Sequence, residues 1–390
     1  MDWFQIGVFI SGRKIQLHRF FPSRLSMTDK HQIDGHKLTY HPDRVAQWLQ
    51  GSESWESAKS IYPIYVEIAP IGGCNHRCTF CAVDYIGYQT RSIEPELLKS
   101  RLAEMAKLGI KSVMFAGEGE PTLYKSLPEI LDHCTEVGID TSLTTNMVPF
   151  TSKNVESFVR NCKWIKTSIN AGTAESYAKI HQCKPEDFDR VLDNFALAVE
   201  TRKAIQSTCT IGGQIVLLPE NACEVAGLAE NLKKIGVDYL VVKPYSQHNS
   251  SVTRQYESID YRDYANLQEV LEPLNDDGFS VIFRNATMER THDKAFEFKV
   301  CQATPFFWAY IMANGEVYGC SAFLEDERFC YGNIKDTSFE DIWEGEKRKK
   351  SHHFIQNELN IEECRHNCRM WSVNQYLTQL KQPDEHVNFI

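Results

Sequence analysis

No apolar run in this sequence approaches the roughly 18 consecutive residues that a membrane-spanning helix requires. The opening Met1-Asp2-Trp3-Phe4 also lacks the basic flank of a secretory signal, so the expectation is a cytoplasmic protein with no membrane partner. Positive charge is in deficit: 42 basic against 52 acidic side chains leave a net charge of -10, which opposes general binding to phosphate backbones. Nucleic acid is therefore not expected as a partner, with the basic run Lys347 to Lys350 as a local exception. A repeat of fixed period and a low-complexity segment are both missing. What remains is an ordinary globular composition of 390 residues, 42% hydrophobic and 24% charged, long enough for two or three units around a large core.

Cysteine, by contrast, is abundant. Thirteen in a chain without a secretory signal are a poor disulfide framework, the number being odd, and metal ligation accounts for them better. Three fall in Gly72-Gly73-Cys74-Asn75-His76-Arg77-Cys78-Thr79-Phe80-Cys81, directly after the apolar run Ile61 to Ile71. Three thiolates gathered by one loop suit a 4Fe-4S cube, which has four corners and would keep one iron open. Gly72-Gly73 lets the backbone wrap such a group closely, and Phe80 sets an apolar ring beside it. Zinc would want a fourth Cys or His. His76 is available, but the spacing differs from the paired Cys-x-x-Cys of structural zinc sites.

Taken in order, residues 1–62 form a polar, His-rich cover segment with two alternating stretches, Gln5 to Ile10 and Lys14 to Arg19. A helix opening at Pro42-Asp43 follows, with Val45, Trp48 and Leu49 on one face. Residues 63–289 alternate β-rich runs with amphipathic helices. Strands are expected at Ile64–Ile68, Ser112–Ala116, Thr141–Thr145, Trp164–Ile169, Thr210–Leu217 and Tyr239–Lys243, with helices such as Glu94–Leu108 and Phe188–Thr201 between them. The fold class is α/β, a partial (β/α)6 TIM-like barrel, in which chemistry sits on loops after the strands; the cysteine loop follows the first. A further pair, helix Tyr264–Leu274 and strand Ser280–Arg284, leads to a composition shift near residue 290. Residues 290–390 then read as a small β-hairpin and helix domain with a helical tail.

The spacing of Cys74, Cys78 and Cys81, with an aromatic before the last, resembles the signature of the radical S-adenosylmethionine enzymes. The resemblance implies that these three hold a 4Fe-4S cluster whose open iron binds S-adenosylmethionine. Reductive cleavage then gives a 5'-deoxyadenosyl radical that abstracts hydrogen from a substrate, with the protein orienting the cofactor and excluding water. Further stretches fall where the family makes cofactor contacts. Gly117-Glu118-Gly119-Glu120-Pro121 is similar to its Gly-Gly-Glu-Pro turn, with Glu118 where a glycine is usual. Thr145-Asn146-Met147 resembles Thr-Asn-Gly, and Ser168-Ile169-Asn170 resembles Ser-x-Asp; short polar groups here would bond ribose hydroxyls. Singly, each is an ordinary strand-end cap. Lys243, Tyr245, Gln247 and His248 after the sixth strand are candidate contacts to substrate or, for the first of them, to the adenine edge, with a solvated loop as the plain alternative; Arg254 and Arg284 are further candidates for an anionic substrate group.

Asn314-Gly315 is a hairpin signal whose flanking strands would bring Cys301 and Cys320 together. Cys364 and Cys368 are spaced to present two thiolates on one face. The segments Tyr331 to Ile334 and Asp341 to Trp343 resemble the linker of the family's SPASM or shorter twitch extension. The resemblance implies an auxiliary 4Fe-4S cluster on Cys301, Cys320, Cys364 and Cys368. Cys330 is an alternative ligand, a hydrogen-atom donor or a packing residue, and Cys183 poses the same choice of donor or packing.

A fully ligated auxiliary cluster would exchange electrons and leave substrate alone, which favours dehydrogenation; epimerisation would need a donor thiol. The expected activity is that of a radical oxidoreductase or epimerase on a small polar metabolite, sugars or nucleotide-linked sugars first, reduced by a flavodoxin- or ferredoxin-type donor. Peptide modification is the alternative, and a non-catalytic iron-sulfur electron carrier is the alternative from another class.

Overall fold

The computed structural model describes residues 32–33, 35–292, 296–365 and 367–389; the stretches Gln5 to Ile10 and Lys14 to Arg19 lie outside the described residues. Seven strands lie side by side in chain order and all parallel: β1 Tyr65–Ile68, β2 Ser112–Phe115, β3 Asp140–Thr145, β4 Cys162–Ser168, β5 Thr210–Leu217, β6 Tyr239–Pro244 and β7 Ser280–Phe283. Helices cross between them, as parallel neighbours demand. Pro95–Lys107 is one; its start is capped by Glu94, whose carboxylate accepts from the N–H groups of Glu96 and Leu97. Glu186–Ala204 is the longest among the described residues, and its Phe188, Val191 and Phe195 are buried in the core. The result is a partial barrel.

Three further strands sit on the free side of β1. β8 Trp308–Ile311 pairs parallel to it, Tyr65 opposite Trp308, and β9 Glu316–Tyr318 and β10 Cys330–Asn333 continue antiparallel. The ten strands make one sheet in the order β10-β9-β8-β1-β2-β3-β4-β5-β6-β7, so it passes without interruption across residue 290. The β8–β9 turn is the Asn314-Gly315 turn, with Gly315 at φ +90°, a conformation open to glycine.

Two expectations change. The helix over Tyr264–Leu274 is broken into Tyr261–Tyr264, Leu267–Leu271 and Glu272–Leu274; Pro273, with no N–H to continue an α-helix, accounts for the stop at Leu271. In the helix Pro42–Gly51, Val45 and Trp48 are buried but Leu49 is 44% exposed, one residue and so about 100° round from Trp48. Trp48 packs on Phe307, just before β8.

Behind the hairpin, Arg348 is fully buried. Its Nε and Nη2 donate to the Pro305 carbonyl (3.2 and 2.7 Å), and its Nη1 donates to the carbonyls of Trp343 (2.8 Å) and Lys59 (3.2 Å). The guanidinium stacks on the Trp343 ring at 4.1 Å, and burial lowers its pKa to about 10, so it stays charged at neutral pH. One side chain thus ties three segments distant in sequence. Arg348→Ala strands those carbonyls without donors and is expected to lower stability by about 4 kcal/mol. Arg348→Lys should recover less than half, because an ammonium lacks the planar fork; thermal unfolding checks both.

Candidate active site

After β1 the chain enters the cysteine loop, which is held from two sides. Gly72 N–H donates to the Arg91 carbonyl at 2.9 Å, and Arg77 and Thr79 N–H donate to the carbonyls of His181 and Ile180 at 3.1 and 2.9 Å. From the β2 side, Glu120 N–H donates to the Gly73 carbonyl at 2.9 Å. A Cβ on Gly119 would stand 2.4 Å from the carbonyl oxygens of Ile71 and Gly73, so only glycine fits there. Gly117 is pressed in the same way against Ala69 and Tyr310, and Pro121 opens a short 3-10 turn.

The Glu120 carboxylate is buried and accepts from Thr122 N–H (3.0 Å), the Thr122 and Thr145 hydroxyls (2.6 Å each) and Asn146 N–H (2.7 Å). It binds the β2 turn to the end of β3, and burial raises its pKa against the pull of those donors. Asn146 Nδ2 reaches back to Asn75 Oδ1 at 2.7 Å, inside the cysteine loop. Met147, where the family motif has glycine, takes the left-handed conformation that glycine would supply, with φ +63°.

Two expected cofactor contacts are otherwise engaged. Glu118 is buried between Arg91 Nη2 (2.8 Å) and Ala313 N–H (2.6 Å), so its carboxylate joins the cysteine loop to the β8–β9 turn. Asn170 is 1% exposed, and its Oδ1 accepts from Val216 N–H at 2.6 Å, which locks the ends of β4 and β5 together and removes that oxygen from a ribose. Ser168, two residues earlier on β4, is only half-buried.

Behind the loop lies a residue that spacing did not single out. His181 is buried; its Nε2 accepts from Asn170 N–H at 3.2 Å, which leaves the proton on Nδ1, 3.3 Å from the Cys78 sulfur. Phe80 packs edge-on against the same imidazole. His76 turns to Asp187 at 3.5 Å and groups with Cys78 and His181 or with Cys183 and Asp187. Cys183 therefore lies among His76 and Asp187, on a groove shared with Lys184 and Arg190.

The two thiol sets fit iron-sulfur clusters. Burial first, and then the charges of Cys81 and Cys74, push Cys78 well above the ordinary thiol range; burial raises Cys74 to about 11. Soft donors that resist ionising alone are stabilised as thiolates by a metal that replaces their protons. Cys301, Cys320, Cys364 and Cys368 line one apolar cavity with Phe298, Phe323 and Leu359. Burial, and then its neighbouring sulfurs, raise Cys320 to about 12; burial and Cys301 raise Cys368 to about 11. Cys330 does not line this cavity; it opens β10 near Tyr318, Glu316 and Lys347.

The segment after β6 spans both sets. Ser251 Oγ donates to the Cys81 carbonyl (3.3 Å), and Val252 and Thr253 N–H donate to the Asp84 carboxylate (2.8 and 2.9 Å). On its other side, Asn249 Nδ2 donates to the Glu363 carbonyl (2.7 Å) and the Tyr245 carbonyl accepts from Asn367 Nδ2 (3.1 Å). Three expected substrate contacts are used in this wedge. His248 is buried, stacked on Tyr85 with its ring against the Ser321 carbonyl; Gln247 Nε2 braces the carbonyls of His248 and Thr253; the Tyr245 hydroxyl donates to Gln247. Lys243 lies on β6 itself and Arg284 just after β7.

Residues 68–232 match the radical SAM superfamily, and residues 301–369 match the iron-sulfur cluster-binding domain SPASM. The chain belongs to the radical SAM enzymes, which use S-adenosylmethionine and a 4Fe-4S cluster. Within them it is one that carries a SPASM domain, with further iron-sulfur ligation. It is similar to GTP 3',8-cyclase of Chlorobaculum tepidum, 25% identical over 47% of this chain and 55% of that one. It is also similar to the tungsten-containing aldehyde ferredoxin oxidoreductase cofactor-modifying protein of Pyrococcus furiosus, 23% identical over 73% and 81%. The chain thus spans little more than half of the cyclase. In fold it resembles Streptococcus suis SuiB bound to the precursor peptide SuiA, with a TM-score of 0.62 at 18% identity, covering 89% of this chain and 78% of that one. No helix among the described residues is long and apolar enough to cross a membrane.

Gly119→Ala is expected to displace the cysteine loop and remove one cluster, leaving about four of about eight irons per chain in an iron assay. Burial lowers His248 to about 4, so it is neutral in the fold and favours protonation once unfolded. The unfolded chain therefore binds more protons between about pH 6.5 and 4, and stability falls as pH drops through that window. His248→Asn, which keeps an acceptor near Nδ1, should flatten the decline in thermal midpoint between pH 7 and 5.

Proposed function

We propose that this enzyme abstracts hydrogen from a small polar substrate held between the two cysteine sets and oxidises it by dehydrogenation. On this reading Cys74, Cys78 and Cys81 hold the S-adenosylmethionine-binding cluster, and Cys301, Cys320, Cys364 and Cys368 hold the auxiliary one. With the cofactors bound, these groups supply a hydrogen-abstracting 5'-deoxyadenosyl radical and a one-electron acceptor. The chain's own residues then have distinct tasks. Glu120, Thr145 and Asn146 fix the rim beside the cysteine loop, the His181 Nδ1–H supports the Cys78 sulfur, and the segment from Tyr245 to Thr253 closes the space between the sets against water.

The observation that carries this reading is the wedge itself, which bonds to Cys81 and Asp84 on one side and to the Cys364–Cys368 region on the other. Dehydrogenation is preferred to epimerisation because both candidate donor thiols are engaged elsewhere, Cys330 at the edge strand β10 and Cys183 beside Asp187. A nucleotide-linked or other small metabolite agrees with the similarity to a GTP cyclase. The precursor peptide in the SuiB structure favours a peptide substrate as the second reading, through likeness of fold. A flavodoxin- or ferredoxin-type reductant and a reducing, cytoplasmic location complete the proposal.

Anaerobically reconstituted protein given S-adenosylmethionine and dithionite is expected to form 5'-deoxyadenosine and to hold about eight irons. Changing Cys74, Cys78 and Cys81 together to alanine should abolish the product and leave about four irons. Absence of 5'-deoxyadenosine from the wild type, or loss of all iron from a folded triple variant, would sink the assignment.

A further inference from the structure

The cavity of the second cysteine set receives a residue from beyond the matched iron-sulfur domain. Asn374 stands on the helix Trp371–Lys381, past the last matched residue, 369, yet it is buried and lines that cavity. Its Oδ1 accepts from the N–H groups of Gln302 (2.7 Å) and Ala303 (3.0 Å), the two residues that follow Cys301. An amide whose oxygen is fixed by two donors presents its nitrogen on the other side, and Nδ2 donates to the Cys301 sulfur at 3.6 Å. The Thr304 hydroxyl, also buried, stands 3.3 Å from the same sulfur. The Cys301 carbonyl accepts in turn from Gln356 Nε2 at 3.4 Å, so both the backbone and the side chain of this cysteine are held.

A free thiol could give its proton to the Thr304 oxygen, but a thiolate on iron has none, so there the hydroxyl must donate. Cys301 then takes two side-chain donors. Cys320 takes a backbone one, Ala322 N–H at 3.4 Å. Trp308, Phe329 and Met370 line the same cavity with apolar surface, and in such surroundings a hydrogen bond to a charged sulfur is strengthened. Arg365 also lines it, and its positive charge acts in the same direction as the donors. Reduction adds one negative charge to an iron-sulfur cluster, so donors to its sulfurs stabilise the reduced state more than the oxidised one.

We propose that Asn374 and Thr304 are positioning residues that raise the reduction potential of the auxiliary cluster through hydrogen bonds to the Cys301 sulfur. The inference rests on the reading that Cys301, Cys320, Cys364 and Cys368 hold that cluster, and it deepens that reading by giving a physical reason for the group to act as an electron acceptor. The C-terminal helix thereby has a task in the site. Its buried residues are Trp371, Asn374 and Leu377, three apart on one face, and a lone asparagine in that stripe is the mark the task leaves in the sequence.

The test uses the reconstituted full chain with Cys74, Cys78 and Cys81 changed to alanine, so that the auxiliary cluster alone titrates, and adds Thr304→Val, Thr304→Ser or Asn374→Asp to this background. Iron is assayed, and the reduction potential is read by a redox titration followed by electron paramagnetic resonance. All four proteins should hold about four irons. Thr304→Val keeps the shape and removes the hydroxyl; Asn374→Asp keeps an acceptor for the Gln302 and Ala303 N–H groups and turns an oxygen to the sulfur. At a given applied potential, Thr304→Val should lower the ratio of reduced to oxidised cluster about tenfold, a downward shift of about 59 mV for a one-electron couple, and Asn374→Asp should lower it at least as far. Thr304→Ser, which restores the hydroxyl, should stay within about twofold of the background. Potentials within about twofold of the background in Thr304→Val or Asn374→Asp, with iron retained, would overturn the tuning and leave the cluster assignment standing. Iron lost from either variant while it remains folded would make these residues scaffold alone and would also overturn the tuning. A folded background protein that holds no iron would overturn the four-cysteine assignment, and the tuning with it.

Discussion

β1 is the strand on which the molecule depends, because it is paired on both sides. Val66 stands opposite Val113 of β2 and opposite Ala309 of β8, so the four residues Tyr65 to Ile68 belong at once to the barrel and to the auxiliary hairpin. Parallel pairing gives each neighbour evenly spaced backbone bonds, and a strand buried on both faces cannot slip by one residue without turning Val66 and Ile68 out of the core. The cysteine loop leaves the end of this strand. Whatever holds β8 in register therefore also holds the place from which the three thiols are presented.

The second organising feature is polar. The segment after β6 has few apolar groups to bury, and it is ordered through backbone and amide bonds to both cysteine-bearing regions. His248 within it is neutral and buried, which is why its removal from water is tolerated.

Much of this was legible in the sequence. The strands at 112–115 and 210–217 are where β-rich runs place them, and the Cys74 spacing pointed to the family that the comparisons identify. What could not be read is which partner a side chain finds across the fold. Glu118 sits in a cofactor-like turn by position, yet Arg91, tied to Gly72, and Ala313, which follows β8, take its carboxylate. Asn170 sits at a strand end by pattern, yet Val216 N–H, one strand away, takes its oxygen. His181 lies outside any short motif; its significance comes from burial beside Cys78, which only the folded chain defines.

The Glu118 contact has a consequence for the distance between the two sulfur sets. Ala313 N–H, the Glu118 carboxylate, the Arg91 guanidinium and, through the Arg91 carbonyl, Gly72 N–H make one continuous chain of hydrogen bonds from the β8–β9 turn to the cysteine loop. A glycine in place of Glu118 would remove this link and leave only the pairing of β1 with β8 to hold the two ends together. Electron tunnelling falls exponentially with separation, so linked ends confine the spread of tunnelling rates as well as their mean. The acid that breaks the family's glycine pattern thus acts as a mechanical link between the two regions.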